Sequence, residues 1–528
     1  MNARTNPARV LWHLTRADFL ERVRRQSFLV TLGLAVYLGY VVAAGQMKLW
    51  IGDTRGIYNS AWVGILMALT ANLFLSLAGF YVVKNAVERD RRTGVGEILA
   101  TTPMSKPLYA LGKTASNLAV LLAMVAVLAA MGPVAQWMAG EENRIELWGL
   151  LSPFLFLTLP TMALVAACAV LFETLPVLRG GAGNVIWFFA WIGLLPAAVQ
   201  IPGFPDPFGL GAVSTRLYAE MSERFGKVNR NFIFGGMPDE TTTRTIVWHG
   251  MHWTSRVVLG QLLWLVVAVG VALLAALFFD RFDPSRRRVR SRKAKKGAPE
   301  AMAETASAPA GIPLPVHLHP LPAGARRFRF LALLRVETRL LIQGQPWWWW
   351  TVALGLLIAG LAAPINAVRQ GILPVAWIWP LLLWSSLGNR EARYGTTGLI
   401  FSAAHPLNRQ LPAAWAAGVL LALATGGGAG LRLVLAGDWP AAGAWAIGAL
   451  FIPTLALTLG IWSGGGKLFE VAYLILWYLG PMQHVPGMDF LGTLPAAVKS
   501  GTPVIFLAAT GLLGLAAVAG RKRQLRLG

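Results

Sequence analysis

The chain has 528 residues, 55% of them hydrophobic and only 13% charged, with a formal net charge of +23. Soluble globular proteins carry roughly 25% charged residues, so a soluble enzyme is excluded, and so is a disordered chain. The apolar residues gather into segments of about 17–26, long enough to cross ~30 Å of hydrocarbon as helices, whereas the short alternating segments of a membrane β-barrel are missing.

Residues 1–27 are polar and basic with helical periodicity. Leu11, Leu14, Phe19, Leu20 and Val23 share one face, and Arg16, Arg22 and Arg24 lie elsewhere. This predicts an amphipathic helix on the cytoplasmic interface ahead of the first span. The first apolar run follows Arg22, Arg24 and Arg25, starts late and lacks a small-residue cleavage site, so it reads as a span and not as a cleaved leader. About twelve spans are predicted, at 28–45, 60–83, 114–138, 147–172, 182–201, 255–279, 347–364, 373–388, 412–435, 440–462, 468–485 and 502–519. With both termini cytoplasmic, most of the 47 Lys and Arg fall on the inner side. That is the positive-inside bias, reinforced by attraction to anionic lipid, and not a nucleic-acid footprint.

Between the second and third spans lies ERDRRTGVGEILATTPMSKPLYALGK, Glu88–Lys113. The connection 202–253, between the fifth and sixth spans, is long and rich in Pro, Gly, aromatic and charged residues. Short helices, partly re-entrant or lying on the outer face, are expected there. Residues 280–325 open with DRFDPSRRRVRSRKAKK and continue as an Ala/Pro/Gly stretch, a flexible linker whose basic run meets anionic headgroups. Residues 326–346 repeat the amphipathic pattern, with Arg335-x-Glu337 matching Arg16-x-Asp18, and Trp347–Trp350 then anchor the next span at the interface.

The polar loop comes twice. EARYGTTGLIFSAAHPLNRQLPA begins at Glu391, and one constant offset pairs Glu88 with Glu391, Thr93 with Thr396, Ala100 with Ala403, Pro103 with Pro406 and Leu108 with Leu411, while Lys106 meets Arg409. Pro160-Thr161 and Pro453-Thr454 correspond within later spans, as do Trp187 and Trp477. Six spans per half keep the halves in one orientation, so two parallel six-helix repeats are expected.

Catalytic chemistry is not legible. No H-E-x-x-H, CxxC or G-x-S-x-G occurs, and Cys168 is the single cysteine, so no intrachain disulfide forms. His249 and His252 have i, i+3 spacing, but no carboxylate or cysteine stands nearby, and they read as interfacial polar residues. Ser463-Gly464-Gly465-Gly466-Lys467-Leu468 fails the phosphate-loop pattern, because Ile461 and Leu468 replace the required Gly and Ser/Thr. No catalytic, cofactor or metal residues are therefore assigned, and the chain is not expected to be an enzyme. Arg432, Glu173 and Glu470 fall near span ends. The scarcity of mid-membrane carboxylates argues for energy supplied from outside the membrane part.

The pattern E-x-x-x-x-x-G-x-x-E-x-L-x-x-x-P-x-S-K at Glu88–Lys106, ending in Gly112-Lys113, resembles the cytoplasmic loop between spans two and three of ABC-2-type permeases. That family also has an amphipathic elbow helix before span one, six spans per unit and an outer re-entrant region between spans five and six. The resemblance implies an all-α polytopic membrane protein with elbow helices before spans one and seven: a first six-span unit at 1–283, a cytoplasmic linker at 284–325 and a second, more degenerate unit at 326–528. It also implies that the first loop couples to a separate ATP-binding subunit, through Glu88, Arg91, Arg92, Gly94, Glu97, Leu99, Pro103, Lys106 and Lys113. In the second loop the corresponding residues are Glu391, Arg393, Pro406 and Arg409. Gly94, Glu97 and Lys113 find no match under the offset, where Thr397, Ile400 and Ala416 stand. ATP would enter through the partner, expected in two copies, and the chain would sit multi-pass in the inner (plasma) membrane as an exporter of unassigned cargo. The alternatives are a proton-coupled secondary transporter, whose loop signature Asp90-Arg91 partly matches, and a non-transporting scaffold.

Overall fold

The computed structural model describes residues 6–24, 26–45, 47–52, 54–139, 141–142, 144–201, 203–226, 232–234, 244–282, 329–403, 405–482 and 486–527. The chain forms two compact units, Met1–Gly297 and Ala298–Gly528. The linker expected at 284–325 lies outside the described residues, as do parts of the 202–253 connection.

The first unit consists of α1 (Pro7–Val23), α2 (Gln26–Ala43), α3 (Ser60–Thr70), α4 (Ser76–Val83), α5 (Ala86–Arg92), α6 (Val95–Thr101), α7 (Lys106–Ala139), α8 (Leu147–Pro153), α9 (Leu159–Thr174), α10 (Gly181–Gln200), α11 (Leu210–Phe225) and α12 (Ser255–Phe278). Single π turns at Ala71–Leu75 and Phe154–Thr158 join α3 to α4 and α8 to α9. A π turn disturbs the regular hydrogen-bond ladder and re-aims side chains. In the first of these turns Asn72 donates to the Phe208 carbonyl at 2.7 Å. Helix α9 meets α12 through Ala163, Ala167, Ala268 and Ala272, small side chains that let helices approach closely in lipid.

Among the described residues, eight helices are long and apolar enough to cross a membrane: Ser60–Arg92, Lys106–Ala139, Leu147–Thr174, Gly181–Gln200, Ser255–Phe278, Pro406–Leu435, Trp439–Ser463 and Thr502–Arg526. This is a multi-pass, predominantly helical membrane protein. The other four predicted spans take a different form. Those at 28–45 and 347–364 contain the shorter apolar helices Thr31–Ala43 and Trp347–Ala362. The run at 373–388 breaks into Leu373–Ile378 and Leu381–Trp384 around Pro380, and that at 468–485 passes from Lys467–Trp477 into a π turn that contains Pro481. Proline removes a backbone donor and crowds the preceding turn.

Helix α1 forms where the sequence predicts it, with Leu11, Leu14, Phe19 and Val23 half-buried and Arg16 and Arg24 exposed, but its most deeply buried residues are charged. It opens on Asn6, whose Oδ1 accepts the Ala8 N–H at 3.0 Å, with Pro7 in the first turn. Its buried residues are Asp18 and Arg22, while Trp12 is 64% exposed and Leu20 37% exposed. Leu14 stays on the inner side and covers Gly112 of α7, where an added Cβ would lie 2.4 Å from Leu14 Cδ2.

The sequence also missed a small sheet. Strands β1 (Leu49–Ile51) and β2 (Thr54–Gly56), from the connection after α2, join β3 (Phe232–Phe234) and β4 (Arg244–Ile246), in the order β3-β1-β2-β4. Strand β1 is antiparallel to β2 and β3, and β2 is parallel to β4. Three-residue strands lie below the length at which alternation can be read. The strands lie between helices, not within the eight long apolar ones. The short helix expected in the 202–253 connection is α11.

The main helices of the second unit are α13 (Phe330–Ile342), α14 (Trp347–Ala362), α15 (Leu373–Ile378), α16 (Arg390–Arg393), α17 (Thr397–Phe401), α18 (Pro406–Leu435), α19 (Trp439–Ser463), α20 (Lys467–Trp477) and α21 (Thr502–Leu527). Helices α14 and α18 touch at backbone range, since a Cβ on Gly428 would stand 2.0 Å from the Leu357 carbonyl oxygen. The second predicted elbow, α13, buries Glu337 and Leu341.

Candidate functional site: two buried ion-pair clusters

In the first unit the loop between α4 and α7 is fixed by a carboxylate on the elbow helix. Asp18 is 6% exposed. Its Oδ1 accepts from Lys113 Nζ at 2.8 Å and pairs with Arg89, and its Oδ2 accepts from Ser116 Oγ at 2.6 Å and Arg22 Nη2 at 3.1 Å. Lys113, itself 2% exposed, also donates to Asp90 Oδ1 at 3.0 Å. The Tyr109 hydroxyl donates to Asp90 Oδ2 at 2.7 Å. Elbow α1, loop helix α5 and span α7 are thereby tied through one charged network. Burial alone would raise the Asp18 carboxyl, but the Lys113 ammonium and the Arg22 and Arg89 guanidinium groups override it and hold the carboxyl down at about 2.

A second carboxylate closes the same loop from behind. Glu173, at the end of α9, accepts four backbone N–H groups at the start of α5: Asn85 at 2.6 Å and Ala86 at 2.9 Å on Oε1, Val87 at 2.7 Å and Glu88 at 3.0 Å on Oε2. A helix leaves its first N–H groups without intrahelical partners, and its N-terminus carries partial positive charge. Glu173 answers both from another helix.

The chain after α12 braces the far side. Arg91 Nη2 donates to Asp280 Oδ1 at 2.6 Å, and Arg281 Nη2 donates to the Thr102 carbonyl at 2.6 Å. The Phe282 ring lies against Gly96, where a Cβ would come within 2.6 Å of it. Leu99 packs onto Val87, Tyr109, Val170 and Phe279. Gly94, between α5 and α6, has φ +75°, a left-handed conformation that favours glycine.

These contacts sort the residues predicted for coupling. Arg91, Leu99 and Lys113 are engaged within the unit. Glu88 is half-buried and accepts from Arg92 Nε at 3.3 Å. Lys106 is half-buried at the start of α7. Arg92, Glu97 and Pro103 are exposed. Beside them Ile98 is 67% and Val95 42% exposed, so α6 offers an apolar outer surface.

The second unit repeats the device with other cations. Elbow Glu337, 6% exposed, accepts from Arg390 Nη2 at 2.9 Å on Oε2 and Gln410 Nε2 at 3.3 Å on Oε1. Glu391 Oε1 accepts from Gln410 Nε2 at 2.6 Å and from Arg521 Nη2 at 3.1 Å. Arg521, on α21, is 1% exposed and lies 5.1 Å from the centroid of the Phe401 ring. Burial raises the Glu337 carboxyl above its ordinary value, against the opposing pull of Arg390. Of the other residues predicted in the second loop, Arg393 is exposed beside the Tyr394 ring at 5.9 Å, Pro406 opens α18, and Arg409 is half-buried near its start.

Several side-chain contacts of the two loops match at a spacing two residues shorter than the offset read from the sequence. Arg89 and Arg390 each hold the elbow acid, and Asp90 and Glu391 each take the next cation or amide. Gly94 and Gly395 both have positive φ, and Ile98 and Leu399 (76% exposed) both project outward. In contacts made, Asp90 resembles Glu391 more than Glu88 does. The role of Lys113 falls to Gln410, with the positive charge supplied by Arg521. The sequence reading missed the roles of Asp18, Arg89, Glu173 and Arg521. For Asp18 a signal existed: an acid within a basic helix, with an acid at the equivalent place in the second elbow.

His252 Nε2 lies 3.1 Å from Arg216 Nη2, and among the described residues no group of three His, Cys, Asp or Glu is placed to hold a metal ion. Comparison with protein-family models, curated proteins and solved structures finds no match to this chain.

Proposed function

We propose that this chain is the membrane subunit of an ATP-driven transporter of the ABC-2 permease kind: two fused, parallel six-span units, twelve spans in all, in the plasma membrane with both termini cytoplasmic. The observation that carries the reading is the repeated clamp. In each unit an elbow acid and a loop arginine hold the first of two consecutive short helices (α5, α16), and the second (α6, α17) turns a large aliphatic side chain outward, Ile98 at 67% and Leu399 at 76% exposure. Aliphatic anchors on rigid supports, rimmed by charge, suit a protein partner. The partner in this reading is a separate ATP-binding subunit, one copy per loop.

The chemistry divides accordingly. Val95, Glu97 and Ile98, with Arg92 and Pro103 at the rim, meet the partner. Lys113, Arg91, Leu99 and Glu173 hold the loop to α7, α9 and the chain after α12, so a push on α6 moves spans instead of melting the loop. The partner contributes the ATP site and the chain the pathway, and the direction is export.

The test is association and ATP-driven transport with the ATP-binding subunit that copurifies with the chain. Ile98→Glu and Leu399→Glu should each weaken the complex by about 30-fold, since interface anchors are worth roughly 2 kcal/mol or more. The unfolding midpoint should not change, because both side chains face outward. Undiminished association and transport in the double variant would refute the docking surface.

A further inference from the structure

A cavity of about 520 Å³ opens beside the first cluster. It is lined by Arg22, Lys84, Arg89 and Arg92, with Glu88 as the lone carboxylate, while Phe28, Val82, Val83 and Val120 form an apolar wall. The volume lies within the roughly 300–1,000 Å³ of ligand sites. Most of the cations are partly satisfied inside the protein. Lys84 Nζ donates to the carbonyls of Leu178 and Gly180 and to Asn184 Oδ1, Arg89 pairs with Asp18 and Glu21, and Arg92 bonds Glu88.

Arg22 is likewise only partly satisfied. It is 9% exposed and lines the cavity, its Nη2 bonds Asp18, and its Nε is buried without a hydrogen-bond partner. That Nε is shielded from the cavity, but of the five N–H donors of a guanidinium only Nη2 is engaged, with Asp18, which leaves others to meet an acceptor in the cavity that Arg22 lines. The acceptor must be anionic, because cations outnumber carboxylates in the lining, and the guanidinium fork is matched by phosphate oxygens. The apolar wall adds that the ligand carries hydrocarbon. Helix α2, which supplies Phe28, is apolar along Thr31–Ala43.

We propose that this cavity binds the phosphate of an anionic phospholipid, with Arg22 as its buried ligand, Arg92 at the rim, and the acyl side lying along Phe28 and Val82. The site would make the set of the elbow, and so of the loop α5–α6, responsive to the charge of the surrounding leaflet. The inference needs only the membrane location of the chain, so it survives failure of the permease reading.

The experiment is native mass spectrometry of the full chain in detergent, titrated with dioctanoyl phosphatidylglycerol, dioctanoyl phosphatidylcholine or inorganic phosphate. Saturable binding of the anionic lipid is expected, tighter than the zwitterionic one by about tenfold, the worth of one charge-assisted hydrogen bond. Arg22→Gln should lose about tenfold in affinity for the anionic lipid by the same reasoning. Arg92→Gln, at an exposed position that the fold does not need, should lose severalfold, which keeps the test open where Arg22→Gln fails to fold. Arg9→Gln, at the exposed start of α1, should change nothing. Equal binding by the wild type and Arg92→Gln, together with either equal binding by a folded Arg22→Gln or no preference for the anionic lipid, would overturn the site. Inorganic phosphate binding as tightly as the lipid would overturn the lipid as its source.

Discussion

Replacing Asp18 by Asn tests whether the elbow cluster holds the first loop. The change keeps the shape and removes the charge at a point where four donors converge: Lys113, Ser116, Arg22 and Arg89. Two routes give its size. The carboxyl stands at about 2 against an ordinary 3.8, and at about 1.4 kcal/mol per unit this amounts to roughly 2 kcal/mol of stabilisation by linkage. Removing one partner of a buried pair typically costs about 3–5 kcal/mol. Here Asp90 still holds Lys113 and Glu21 still faces Arg89, so the lower end applies. A loss of about 3 kcal/mol is expected. It should appear as a lower unfolding midpoint and as faster amide exchange across Ala86–Thr101. A double-mutant cycle with Lys113→Met should return a coupling energy of about 1–3 kcal/mol. An unchanged midpoint together with unchanged exchange in α5 and α6 would refute the clamp.

Four further outcomes follow from the same geometry. Glu337→Gln should cost clearly less than Asp18→Asn in unfolding midpoint, because burial already favours the uncharged Glu337 carboxyl; an equal or larger loss would contradict the contrast between the units. The acid responses should differ too. The contribution of Asp18 is present above its ordinary 3.8 and is lost only as pH falls from there through about 2. A raised Glu337 favours the fold below its ordinary 4.5 and loses that contribution as pH rises through its folded value, so the protection of α13, corrected for the intrinsic pH dependence of amide exchange, should fall as pH rises from below 4.5 to neutrality, and rising protection would sink the assignment. Glu173→Gln should weaken the N-terminus of α5 by about 1–2 kcal/mol, the usual worth of a helix cap, seen as faster exchange of Ala86, Val87 and Glu88. Arg521→Gln should loosen α16 and α17 in limited proteolysis while α5 and α6 stay protected, since that cation serves Glu391 in the second unit.

The parts of the fold that were legible follow from lipid as solvent. Segments such as Ser255–Phe278 have to bond their own backbone and show apolar side chains, so composition and length announce them. The elbow α1 shows where that logic ends. Its periodicity was visible but not the burial of Asp18 within it, because the partners of that carboxylate, Lys113 and Ser116 of α7, lie about a hundred residues away. Arg521 was illegible for the same reason. In sequence it belongs to a basic helix end, and only the folded contact with Glu391 and Phe401 separates it from Arg523 and Arg526. The sheet escaped because its strands are three residues long and come from connections far apart in the chain.

The two loops differ less in form than in how their charge is held, and that difference bears on how firmly each is fixed. In the first unit the elbow acid faces three cations, Lys113, Arg22 and Arg89, all from α1, α5 or α7. The carboxylate stays ionised throughout the physiological range, and the loop is locked to the span that follows it. In the second, the cation beside Glu391 arrives from the last helix, and Gln410 stands where Lys113 would be. A neutral amide contributes less than an ammonium to a buried network, and the elbow acid there is pushed toward its uncharged form. The first loop is therefore the more firmly held. The second is held from the end of the chain, so its set depends on whether α21 keeps its place.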